Sequence, residues 1–98
     1  MDAQHNVETL VVLQPVAVDT ASLDRDGMLV MANGMLVGVL VRLVTPGHEH
    51  SGAWFVEAAF GHLKGVRVQP FDTLDDATRW FRTNLKRSQA GTSWRPPP

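Results

Sequence analysis

The chain reads as an α+β domain, an antiparallel β-meander of about five strands followed by one C-terminal amphipathic helix packed on one face of the sheet. Three features carry that reading. Val, Leu and Met fill short runs of strand length over most of residues 7–69, Asn33-Gly34 stands between two such runs, and after Asp72 the apolar spacing changes to steps of three and four.

Val7 to Val18 is rich in Val and Leu and contains Pro15, which has no backbone donor, so the segment is expected at a sheet edge with a bend at the proline. Residues 19–26 are polar and end at the turn pair Asp26-Gly27. Met28 to Thr45 reads as a hairpin, because Asn and Gly are the residues that accept the two positive φ angles of a type I′ turn. A two-residue turn sets Ala32 opposite Met35, Val30 opposite Val37 and Met28 opposite Val39. One face then carries Met28, Val30, Ala32, Met35, Val37, Val39, Val41 and Leu43; the other carries Leu29, Met31, Leu36, Gly38, Leu40, Arg42 and Val44. Both faces are apolar. After the loop 46–52, Ala53 to Phe60 forms a further strand, Gly61 to Gly65 a turn, and Val66 to Gln69 a short last strand ending at Pro70.

Thr73-Leu74-Asp75-Asp76 resembles a capping box with Asp in place of Glu, and its acids suit the positive end of a helix dipole. The helix is expected to start at Asp72 or Thr73 and to stop near Lys86 or Arg87, with Leu74, Ala77, Phe81 and Leu85 on its apolar stripe. Residues 1–6 are polar and expected to fray. Residues 89–98 mix Gly, Ser, Thr and Pro and are expected to be disordered, which leaves 7–88 as the single domain.

At 98 residues, 44% hydrophobic and 19% charged, the chain has the size and composition of one globular domain. It has no cysteine, so thiolate metal sites, disulfides and Cys nucleophiles are excluded, and a reducing cytoplasm is the expected compartment. The apolar stretch Leu10 to Val18 follows acidic residues and is broken by Gln14 and Pro15, unlike a signal peptide, and nothing reaches the roughly 20 apolar residues of a membrane span. Net charge is −1, yet residues 1–63 hold two basic side chains against seven acidic ones, and residues 64–98 hold seven basic against three acidic. A basic helix near an acidic part of its own fold accounts for that asymmetry.

No catalytic residue and no cofactor motif is found. His48 and His50, in a glycine-flanked loop, are the metal-ligand candidates, but a zinc site needs three or four ligands, and His62 falls at the far end of the intervening strand. The loop therefore reads as a solvated turn. Glu57 lies in an apolar strand and is expected to pair with Arg42 on its neighbour. Arg67, Arg79, Arg82, Lys86 and Arg87 are the residues a nucleic-acid backbone would meet. A single helix of four turns shelters one side of the sheet, so a partner is expected on the other, with Leu36, Leu40 and the off-stripe Trp80 as interface candidates.

A meander followed by one helix resembles the small sheet-plus-helix DNA-binding domains of the integrase-arm type, and 26–85 is similar to small bacterial domains. The first resemblance implies groove reading by basic and aromatic residues on an exposed sheet face; here that region offers Arg42 and Arg67, and no binding residue is carried over. The function expected from the residues is a non-enzymatic protein-interaction module, homodimeric through a sheet face. Nucleic-acid binding by the basic helix and ligand or metal binding by the His48/His50 loop are the alternatives.

Overall fold

The computed structural model describes residues 9–47 and 49–92, with 86–92 described as helical backbone. The fold is α+β, a four-stranded antiparallel sheet in the order β1-β2-β3-β4 with one C-terminal helix. The strands are β1 (Val11–Ala17), β2 (Asp26–Ala32), β3 (Met35–Arg42) and β4 (Trp54–Ala59).

β1 is an edge strand, and its pairing with β2 runs through Pro15 unbroken. Asn33 donates its N–H to the Leu10 carbonyl at 3.0 Å and Val18 donates to the Arg25 carbonyl at 2.8 Å. Even-numbered residues of β1 therefore face β2, and Pro15 turns its donorless nitrogen to the open edge, the one side on which a missing N–H costs nothing.

Asn33 and Gly34 adopt φ of 51° and 84°, the positive pair of the expected turn. Asn33 also accepts the Leu10 N–H on Oδ1 at 3.0 Å, which ties the start of β1 to the hairpin tip. Ala32 pairs with Met35 as expected. The register then shifts: Met31 pairs with Leu36, but Val30 pairs with Gly38 and Met28 with Leu40. Val37 is the extra residue of a β-bulge, and its carbonyl accepts the Phe60 N–H at 3.0 Å. Because side chains alternate with period two, this one residue exchanges the faces of everything after it on β3. Gly38 and Leu40 join Val30 on the helix side, and Val39 and Val41 move to the other.

Helix α1 (Leu74–Thr92) covers that helix side. Thr73 caps it, its Oγ1 accepting the Asp76 N–H at 3.0 Å. Ala77, Phe81 and Leu85 are buried, with Leu74 packed at the margin, so the expected stripe is the observed one. Their counterparts are Val30, Ala32 and Leu40 from the sheet and Leu63 from the one-turn 3-10 helix Gly61–Leu63. The helix runs past its expected stop, to Thr92; Gln89 and Ala90 are compatible with helix, and the tail composition that suggested an earlier end begins in earnest at Gly91. Residues 1–8 and 93–98, which hold the expected frayed start and most of the expected disordered tail, lie outside the described residues.

The expected fifth strand, Val66 to Gln69, is absent among the described residues. Val66 spends its N–H on the Leu63 carbonyl at 3.0 Å, Pro70 has none to offer, and pairing is reduced to one bridge in which Phe71 and Trp54 exchange N–H and carbonyl at 2.7 and 2.8 Å.

The β1–β2 connection is held by its own polar groups. Asp19 Oδ1 accepts the Ala21 N–H, Ser22 Oγ accepts the Asp24 N–H, and Thr20 donates its hydroxyl to the Asp24 carbonyl. Asp24 then latches the loop to the end of β3, its Oδ1 accepting from the N–H groups of Val44 (2.6 Å) and Thr45 (2.8 Å) and from the Thr45 hydroxyl (2.9 Å). Replacing Asp24 by alanine is expected to cost about 1–3 kcal/mol, since several bonds to a charged acceptor are lost while water takes over part of them. Urea unfolding reads that loss, and amide exchange at Val44 and Thr45 should quicken with it.

Candidate interaction surface

The bulge decides what lies on the sheet face away from the helix. Its register positions are Val12, Gln14 and Val16 on β1, Gly27, Leu29 and Met31 on β2, Leu36, Val39 and Val41 on β3, and Phe55 and Ala58 on β4. Among them Gln14 is the single polar residue.

One end of this face is closed by the chain itself. A Cβ on Gly27 would stand 2.6 Å from Val18 Cγ2, so the Val18 side chain lies over that glycine, and Val41, beside it, is 1% exposed. The latched β1–β2 loop thus shelters this end of the sheet. The other end is open: Val12 is 50% exposed and Leu36 40%, with Met31 half-buried between them and Leu29, Val39 and Ala58 half-buried in the next row; Phe55, 39% exposed, stands at the β4 end of the Val41 row. Isolated exposed apolar residues are ordinary; here they form an uncharged group that reaches across all four strands.

The three interface candidates from the sequence separate. Leu36 is on the open face. Leu40 is 0% exposed beneath the helix, a correction that follows from the Val37 bulge, and it is a core residue. Trp80 lies on the helix flank, half-buried, its ring 5.8 Å from Phe71 and 5.1 Å edge-on from Phe81, on the opposite side of the sheet from Leu36. Val12 and Met31 belong to the patch and were not among the candidates, although the plain period-two count already put Met31 on the face of Leu36; allowing for a bulge before Gly38 would have added Val39.

The basic residues do not converge on one surface in what is described. Arg67 is exposed next to Phe55 and Val56 at the β4 edge. Arg79 lies by Phe71 and Trp80 and reaches Asp76 at 3.4 Å, one helical turn back. Arg82 is exposed, and the side chains of Lys86 and Arg87 are outside the described residues.

The histidine loop is described in part. His48 lies outside the described residues; His50 Nε2 is 3.8 Å from Glu49 Oε2, and His62 is exposed in the 3-10 turn. No group of three or more His, Asp or Glu side chains able to hold a metal ion occurs among the described residues. Glu57 is the extra residue of a second bulge, on β4, where Val39 pairs with Ala58 and Leu40 with Val56. It is exposed, and Arg42 pairs instead with Trp54, so the expected Glu57–Arg42 ion pair is not formed. The bulge, by squeezing Glu57 out of the ladder, is the physical reason. No helix among the described residues is long and apolar enough to cross a membrane.

No protein-family model matches the chain, and neither a curated protein nor a solved structure does.

Proposed function

We propose that the domain is a non-enzymatic protein-interaction module that pairs with a second copy of itself through the open end of the sheet face away from the helix. The observation that carries this is the exposure of Val12 and Leu36 on either side of half-buried Met31, with half-buried Leu29 and Val39 in the next row and no charged residue at these register positions.

A second copy suits the patch for two reasons. An uncharged apolar surface meets its own image without like-charge repulsion, which is what a two-fold interface requires. The competing route, edge-to-edge pairing through β1, is obstructed by Pro15 on the open edge. Area then sets the strength. Four strands about 4.8 Å apart and about five residues of 3.3 Å rise make a plane of roughly 300 Å². Even with side-chain relief the pair buries under about 1,200 Å² in total, the class of weak and transient contacts. The expected species is a reversible dimer dissociating in the micromolar range or above. A chain without cysteine is suited to work in a reducing cytoplasm.

Sedimentation equilibrium over a wide concentration range tests the reading. Wild type should show a monomer–dimer equilibrium, and Leu36→Glu should weaken association at least about tenfold, because each copy would bury an unpaired carboxylate. Arg82→Glu, on the helix, should leave association unchanged. A wild-type chain that stays monomeric to roughly millimolar concentration would end the proposal. Retardation of duplex DNA that fades as salt rises would favour the helix arginines in its place.

A further inference from the structure

The helix leaves one end of its own sheet face uncovered, and the side chains there form a charged and aromatic depression. Ala17 pairs with Asp26 across β1 and β2, and Arg42 with Trp54 across β3 and β4. Asp26 and Arg42 each stand one residue beyond the Gly27–Val41 pair, so the four residues make a row across the whole sheet. With Pro15 and Met28 from the next row they line a depression of about 520 Å³, within the range of small-ligand sites. Its lining is mixed, with one carboxylate and one guanidinium among apolar and aromatic side chains.

Two features separate this place from an ordinary polar surface. Asp26 and Arg42 are exposed neighbours of opposite charge, yet neither side chain has a hydrogen-bond or ion-pair partner among the described residues. Trp54, half-buried, is fixed on both sides, paired with Arg42 on β3 and exchanging two backbone hydrogen bonds with Phe71. An indole on a backbone held from both sides, next to two opposite charges unpaired among the described residues, offers three different contacts to one small molecule. The Arg42 fork suits a carboxylate, the Asp26 carboxylate suits an ammonium, and the Trp54 ring suits an apolar or aromatic group. Cross-strand neighbours have Cβ atoms about 5 Å apart, so both charges can reach the two ends of a single compact zwitterion.

We propose that this depression binds a small zwitterion of the α-amino-acid type, with Arg42 on its carboxylate, Asp26 on its ammonium group and Trp54 against its side chain. The site is on the opposite face from the pairing surface and stands independently of it.

The test is a ¹⁵N NMR titration of the full chain with three probes: L-phenylalanine, N-acetyl-L-phenylalanine, which keeps only the carboxylate charge, and L-phenylalanine amide, which keeps only the ammonium charge. L-Phenylalanine should shift the Trp54 indole N–H and the Arg42 side-chain N–H saturably, and each blocked probe should bind about tenfold or more weakly. Arg42→Gln should weaken L-phenylalanine by a similar factor and leave the amide unaffected; Asp26→Asn should likewise weaken L-phenylalanine and leave the N-acetyl probe unaffected. Both residues are exposed, so neither variant threatens the fold. Absence of a saturable shift, or an equal response in Arg42→Gln, overturns the proposal.

Discussion

Replacing Phe81 by alanine is expected to cost about 3–5 kcal/mol of folding free energy, the range for truncating a fully buried aromatic. Phe81 is 0% exposed and is the largest of the fully buried side chains. It is the point at which the helix meets the sheet, its ring at Gly38 below and edge-on to Trp80 beside it. A cavity there cannot collapse easily, because the sheet beneath is fixed by its ladder and the helix by its cap at Thr73. Domains of this size have about 5–15 kcal/mol to lose, so the variant should sit near the limit of folding, with its thermal midpoint lowered by roughly 15 °C or more. Urea unfolding reads the effect. A loss below about 1 kcal/mol would mean that the helix does not pack through Phe81.

Enlarging the residue below should be nearly as damaging. A Cβ on Gly38 would lie 2.7 Å from Phe81 Cζ and 2.8 Å from Cε1, with the Ala58 carbonyl at 3.4 Å on the other side. Neither the buried ring nor the strand can retreat freely, so Gly38→Val is expected to cost about 2–3 kcal/mol through overpacking. Because the clash is with one side chain, the effects should couple. Gly38→Ala combined with Phe81→Leu should cost less than the sum of the two by about 1 kcal/mol. Strict additivity would show that Gly38 is required for some reason other than the approach of Phe81.

The same glycine marks where the sequence stops being readable. Local chemistry was legible: Asn33-Gly34 dictates its turn, Pro15 demands an edge, and Thr73 with the Leu74, Ala77, Phe81 and Leu85 spacing announces a capped helix facing the sheet. Each depends on residues within one turn of one another. The bulge at Val37 depends on Phe60, which lies more than twenty residues on and takes the Val37 carbonyl, and no local rule places it. One extra residue was enough to send Leu40 into the core and Val39 and Val41 to the other face. The bulge at Glu57 had the same effect on the expected ion pair with Arg42. The Asp24 latch was hidden for the same reason, since a carboxylate in a polar loop does not reveal which distant N–H groups it meets. That the second face is apolar was visible from the strands themselves. That Val18 covers it at Gly27, beside buried Val41, was not.

The most direct examination of the pairing surface is a dilution series followed by methyl and amide NMR. As concentration falls, the resonances of Val12, Leu29, Met31, Leu36 and Val39 should move together along one binding curve, while those of Ala77, Phe81 and Leu85 stay still. Resonances independent of concentration, or movement confined to the helix, would contradict the assignment of the open sheet face as the surface on which two copies meet.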